Sequence, residues 1–245
     1  MPRYKLVIEY DGAPYSGWQR QTNAVTVQET LEAAARKFCG VPTRVMGAGR
    51  TDTGVHAMGQ VAHADFEKEW PAATVRNALN ALVRPAPIAV LESERVDETF
   101  DARHSATGRH YRYAIINRRA PLALEKQAWQ IAAPIDVALM NEGAQHLLGH
   151  HDFTTFRATQ CQANSPMRTL DRLVVRRDKE RIEVEASARS FLHNQVRSMV
   201  GTLVEVGAGR WAPEDVATAL AARARPACGP VAPAQGLILM KVDYA

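Results

Sequence analysis

The sequence is poor in cysteine and in lysine, and it has no long apolar run. Its three cysteines, Cys39, Cys161 and Cys228, are far apart and odd in number, and none forms a CxxC pair. That argues against a disulfide framework and a structural zinc, and points to a reducing, cytoplasmic setting. The apolar stretch Gly236-Leu237-Ile238-Leu239-Met240 falls far short of the roughly 18 residues a membrane helix needs, so no membrane association is expected. The start, Met1-Pro2-Arg3-Tyr4-Lys5, runs straight into an alternating strand rather than the apolar core of a signal peptide. His146, His150, His151 and His193 lack a compact ligand spacing, so no metal is expected. Lysine supplies only 6 of the 30 basic residues, leaving 24 arginines.

What is present is a globular chain. It has 245 residues, 46% hydrophobic and 23% charged, which excludes a disordered or collagen-like polymer and bounds the fold at one to two domains. Thirty basic residues against 26 acidic ones leave a net charge of +4. Arginine makes planar, bidentate contacts to phosphate and stacks on bases. Runs such as Ala221-Ala222-Arg223-Ala224-Arg225 equally reflect compositional drift, and +4 does not choose between the two.

Periodicity orders the first half as β-α-β-β-α-β. Tyr4, Leu6, Ile8 and Tyr10 share one face of a half-buried strand. Thr26-Val27-Gln28-Glu29 has capping-box spacing, Leu31, Ala34, Ala35 and Phe38 continue an apolar stripe, and Gly40 stops the helix. Strands are expected at Thr43–Ala48, Met58–Phe66 and Ile88–Val96, with a helix after Pro71. The second half repeats the order: a strand at Arg109–Asn117, a helix at Ile135–Leu148, a hairpin of Thr169–Arg177 and Arg181–Ala188, helices at Leu192–Val206 and Glu214–Ala222, and a strand at Gly236–Asp243. The expected fold class is α+β: two tandem split β-α-β-β-α-β (ferredoxin-like) halves, residues 1–105 and 106–245. Each half would carry a mainly antiparallel sheet with helices on one face, and an active-site cleft would lie between the halves.

The most unusual segment is Gly47-Ala48-Gly49-Arg50-Thr51-Asp52-Thr53-Gly54-Val55-His56-Ala57. It is not a dinucleotide fingerprint, which needs glycine where Asp52 stands, and not a P-loop, which needs Lys-Ser/Thr where Val55-His56 stands. One carboxylate remains in a tight loop, with Arg50 two residues away. In a generic protein such an Asp caps its own turn.

Here, however, the segment Gly49-Arg50-Thr51-Asp52-x-Gly54-Val55-His56-Ala57, followed by Gly59-Gln60-Val61, resembles the bacterial tRNA pseudouridine synthases of the TruA family. The likeness extends through Tyr10-Asp11-Gly12-x-x-Tyr15-x-Gly17-Trp18-Gln19-x-Gln21 and Phe100-x-Ala102-Arg103-x-Ser105-Ala106-x-x-Arg109-x-Tyr111-x-Tyr113. It continues in Asp152-Phe153-x-x-Phe156, Phe191-x-His193-x-x-Val196-Arg197 and Gly236-Leu237-x-Leu239. Thr53 departs from the family's common Ala, and Ala64 from an aromatic often found after His63.

The resemblance implies a homodimeric, cofactor-free isomerase that turns uridine into pseudouridine at tRNA positions 38 to 40 in the anticodon stem-loop. It makes Asp52 the nucleophile, Arg197 its ion-pair partner and Tyr111 the ring that stacks on the flipped uracil. It places Arg50, His56, Arg103, Arg109, Arg112 and Leu237 on the substrate. The residues themselves are compatible with this. Tyr111, Tyr113 and Ile115 share a strand face opposite Arg112, although two aromatics on one face are usually core. Arg197 shares a helical stripe with Val200 and Val204 and has no acidic residue three or four positions away, so its partner lies elsewhere in the fold. Arg103, Arg109, Arg112, Arg118 and Arg119 crowd one region with His104 and His110, a pattern of stem binding or of a solvated face. Arg172, Arg176, Arg177, Lys179 and Arg181 are offset by Asp171, Asp178 and Glu180, as surface. A catalytically silent RNA-binding module is the alternative, and a glycoside hydrolase is disfavoured by the single carboxylate.

Overall fold

In a computed structural model, which describes residues 1–245, the chain divides into two compact units. One comprises Met1–Thr107 with Ile238–Ala245, the other Gly108–Leu237. The first unit begins with β1 (Arg3–Tyr10), α1 (Val27–Cys39), β2 (Val45–Gly47), β3 (His56–Asp65), α2 (Ala72–Leu82) and β4 (Ile88–Val96). β1 is central, antiparallel to β3 on one side and to β4 on the other. Its inward residues are those the alternation predicts, with Tyr4, Leu6 and Ile8 fully buried. An aromatic chain joins them to α1: Tyr4 meets Phe66 edge-on at 5.6 Å, and Phe66 meets Phe38 at 5.8 Å. The α1 cap is the one expected, with Thr26 accepting the Glu29 N–H and Gly40 turning left-handed at φ 82°.

The second unit contains most of β5 (Ala106–Asn117), then β6 (Trp129–Ile131), α3 (Val137–Gln145), β7 (Gly149–Asp152), β8 (Met167–Asp178), β9 (Arg181–Ala188), α4 (Gln195–Gly207) and α5 (Pro213–Ala222). β5, β9, β8 and β7 form an antiparallel series, and short β6 runs parallel to β5. β6 and β7 carry too few residues to show a period of two, which is why periodicity passed over them. α4 is buried almost all round, and Gly143 of α3 lets Leu203 and Val216 approach to within 3.3 Å of where a Cβ would stand. No helix is long and apolar enough to cross a membrane.

The final strand, β10 (Leu237–Tyr244), pairs in parallel with β3, Ile238 opposite His56 and Leu239 opposite Ala57. Its backbone passes so close to Gly59 that a Cβ there would lie 2.5 Å from the Met240 carbonyl. The Tyr244 hydroxyl donates to the Ala102 carbonyl at 2.7 Å. The chain's last residues therefore complete the first sheet, where the sequence order had counted them with the second half. The hairpin arginines are offset as expected, but by other acids: Arg172 by Glu185 at 2.7 Å, and Arg181 by Glu183 at 2.8 Å.

Candidate active site

Asp52 sits on the loop between β2 and β3, half-buried, with backbone commitments on both sides. Ahead of it, Ala48 N–H donates to Val61 O at 2.7 Å and adds one rung beyond β2. Gln60, fully buried on β3, then grips Gly49 twice: Nε2 donates to the Gly49 carbonyl at 2.9 Å, and Oε1 accepts the Gly49 N–H at 3.3 Å. Thr51 is held by its hydroxyl, 2.8 Å from the Tyr10 phenol, and by its carbonyl, which accepts the Trp18 N–H at 3.0 Å. Burial pushes the Tyr10 phenol up to about 12, so it stays a neutral hydrogen-bonding group. Beyond Asp52 the chain turns through Gly54 at φ 77°, with Val55 N–H donating to the Asp52 carbonyl at 3.1 Å.

A second loop braces the first. Gly17 takes φ 87°, and a Cβ on it would lie 2.6 Å from the Thr51 carbonyl. At Gly12 a Cβ would lie only 2.0 Å from the Val55 carbonyl. The glycines of the Tyr10–Gln21 motif are thus where backbone meets backbone. His56 joins the two loops: its Nδ1 accepts the Gly12 N–H at 3.0 Å, and the Asp11 carboxylate lies 3.0 Å from the same nitrogen. A neutral ring accepts from Gly12; a protonated one faces Asp11.

Arg50 and Arg103 are exposed, close to one another, and within the first unit. Burial, and secondarily the charge of Arg103, hold the Arg50 guanidinium below its ordinary value. The structure gives two expected substrate contacts a different setting. His56 is 3% exposed and occupied in bracing the loops, so it has little surface to offer a nucleotide. Arg109 is 8% exposed, and its guanidinium donates to the Arg189 carbonyl. Arg112 lies 3.7 Å from Glu183, and Leu237 is buried at the start of β10.

In the second unit Tyr111 is half-buried on β5 opposite Ala186, its ring edge-on to Phe191 at 5.3 Å. Tyr113, two residues on, is fully buried and donates to the Pro233 carbonyl at 2.7 Å, so it is core while its neighbour keeps an accessible face. Arg197 lies in the first turn of α4. Its Nε donates to the Ala232 carbonyl at 2.8 Å and one terminal nitrogen donates to Asn194 Oδ1 at 3.0 Å. The Arg197 carbonyl in turn accepts the Ala232 N–H at 3.1 Å. Segment 230–232 reaches the helix because residue 201 is glycine: a Cβ there would sit 1.8 Å from the Pro230 carbonyl.

A family model described as tRNA pseudouridine synthase matches residues 6–105 and 144–245. The chain belongs to the tRNA pseudouridine synthase family. The two matched segments include the Asp52 loop and Arg197; Tyr111 falls between them. Full-length relatives agree. The chain is 59% identical to tRNA pseudouridine synthase A of Methylocella silvestris over 100% of this chain and 99% of that protein. It is 60% identical to that of Bradyrhizobium sp. strain BTAi1 over 100% of both, and 58% to that of Paramagnetospirillum magneticum over 100% and 96%.

Several groups that build this site were not singled out from sequence. Gln60 stood inside the quoted motif, but only the fold shows it turned inward as the clamp on Gly49. Alternation along β1 marks Tyr10 as a core strand residue and gives no sign that its phenol braces Thr51.

Proposed function

We propose that this protein isomerises uridine to pseudouridine in the anticodon stem-loop of tRNA, at positions 38 to 40, acting as a cytoplasmic homodimer. The observation that carries the reading is Asp52. A half-buried carboxylate stands on a loop fixed at Gly49, Thr51 and Val55, in a chain whose two halves both match the family.

The reaction needs no outside atoms or electrons, because substrate and product are isomers. Asp52 attacks the nucleotide, the bond from ribose C1′ to uracil N1 breaks, the uracil turns, and C5 bonds to C1′. The C5 proton is then lost to solvent, N1 takes up a proton in its place, and Asp52 is released, so one carboxylate serves as nucleophile and leaving group. Arg197, whose guanidinium is aimed by Ala232 and Asn194, is assigned to keep the carboxylate ionised. Tyr111 is assigned to stack on the extruded uracil, restoring about 1–3 kcal/mol of the stacking it loses. Arg50, Arg103 and Arg112 are assigned to the RNA backbone.

The test uses tRNA carrying tritium at uracil C5. Wild-type protein should release tritium, and Asp52→Ala should release none; equal release by the two removes the assignment. Arg197→Ala should cut turnover by at least about tenfold, while tRNA affinity changes less, a difference of about 1.4 kcal/mol in the barrier. Lost affinity with intact turnover would instead make Arg197 a binding residue.

A further inference from the structure

A small cavity of about 60 Å³ lies beside the Asp52 loop, wholly within the first unit, and three arginines border it: Arg44, Arg50 and Arg103. Trp18, Gln28 and Gly47 are among its other walls, and no carboxylate lines it. We propose that this cavity is a phosphate site that takes a backbone phosphodiester of the RNA substrate next to the nucleotide being isomerised. The phosphodiester rests on the tRNA reading above; the anion site itself rests on the cavity.

Three observations carry it. The first is charge. Several arginines elsewhere on the surface are matched by acids, as Arg20 is by Glu32 at 3.2 Å, Arg95 by Glu69 at 3.0 Å and Arg210 by Glu205. The Arg44 side chain makes no ion pair or hydrogen bond, although the residue lines the same cavity as two further cations. Like charges gathered at one concavity repel, and the Arg103 charge already lowers the Arg50 value. An anion between them reverses the sign of that interaction. The second is rigidity. The Trp18 N–H donates to the Thr51 carbonyl and its own carbonyl accepts the Gln28 N–H, both at 3.0 Å. The indole lies so close to Gly47 that a Cβ there would be 2.5 Å from the ring. The cavity wall is therefore preformed, and arginines along it suit the bidentate recognition of phosphate oxygens. The third is position. Arg50 is two residues from Asp52, and Trp18 is bonded to the residue between them, so an anion held here sits within the reach of the substrate's own backbone.

The experiment measures tRNA binding by the full-length protein across a salt series, together with tritium release. Arg44→Gln should weaken binding and raise KM by about tenfold, the scale of one charge-assisted contact. It should also reduce the slope of log affinity against log salt by about 0.7 to 0.9, the loss of one phosphate contact. Arg44→Lys should recover the slope but only part of the affinity, because an ammonium cannot grip two oxygens at once. Arg95→Gln, whose arginine is paired to Glu69 away from the cavity, controls for loss of one surface charge. An Arg44→Gln protein with unchanged tRNA affinity and slope and no change in phosphate binding overturns the site, as does one no different from Arg95→Gln in all three. Saturable binding of inorganic phosphate, abolished by Arg44→Gln while tRNA affinity stays intact, overturns the RNA source. Failure of the function itself reads differently: wild-type protein would then release no tritium, whatever happens at Arg44.

Discussion

Gln60 spends both ends of its amide on one glycine, and that bond pair fixes the backbone three residues ahead of Asp52. Removing the amide leaves the Gly49 N–H and carbonyl unsatisfied beside the loop, at a cost of about 1–3 kcal/mol each if no water enters. Gln60→Leu should lower kcat for tritium release at least tenfold and leave tRNA affinity within about threefold, because Gln60 is buried away from the RNA. Parallel loss of affinity in a filter-binding measurement would show that the clamp shapes the binding surface instead. The carboxylate at Asp52 was legible through the family resemblance its motif carries, since on its glycines alone such an acid caps its own turn. The clamp was not. A glutamine on a strand reads as surface until the sheet shows which face it occupies.

The same device recurs between helix and strand. Asn80 of α2 donates to the Val90 carbonyl at 2.8 Å and accepts the Val90 N–H at 2.7 Å, and Asn141 of α3 does the same to Val175 at 2.8 and 2.9 Å. Each ties a helix to a strand through a half-buried polar bridge that hydrophobic periodicity does not register. Asn80→Ala and Asn141→Ala should each cost about 1–3 kcal/mol in a urea melt, and the double variant should show their sum, since the two lie in different units. A second element-scale outcome concerns α4. Gly201→Ala drives a methyl into the Pro230 carbonyl, displacing the segment that carries Ala232 and hence the acceptor of Arg197 Nε. Turnover should fall along with thermal stability, and a fully active, fully stable Gly201→Ala protein would show that this segment does not position Arg197. Helix ends were accurate where a residue marked them, as at Thr26 and Gly40, and drifted where none did. The expected Ile135–Leu148 helix, for example, is Val137–Gln145 in the fold.

At the scale of the whole molecule, acid acts through groups that folding has shifted. The Arg3 hydrogen bond holds the Asp65 carboxyl below its usual value, both oxygens 2.7 Å from the guanidinium. Its contribution is present above the unfolded carboxylate value of about 3.9 and is lost as pH falls through the lower folded value. Burial lowers His63, whose Nδ1 accepts the Ala102 N–H at 3.0 Å, so the native ring is favoured neutral. Below about pH 6.5 the unfolded chain takes up that proton first, and stability declines. Urea midpoints between pH 2 and 8 should therefore fall below about 6.5 and again in the carboxylate range. Asp65→Asn should be destabilised at neutral pH and match wild type near pH 2. His63→Gln should flatten the upper step, and an unchanged step would assign it to another histidine.

The sequence by itself determined the local order and, through its motifs, the family. Period-two alternation set the strand faces, Thr26 and Gly40 set a helix, and the glycine spacing around Asp52 marked the loop where a carboxylate is displayed. Those properties depend on neighbours along the chain, which a sequence records directly. Only the tertiary structure decided that β10 completes the first sheet, that Gln60 grips Gly49, that His56 and Arg109 are buried, and that Arg44 meets Arg50 and Arg103 at one cavity. Each of these brings together groups far apart in the chain, or turns a side chain inward or outward. Such choices are made by how sheets and loops pack, after the local pattern has done its work.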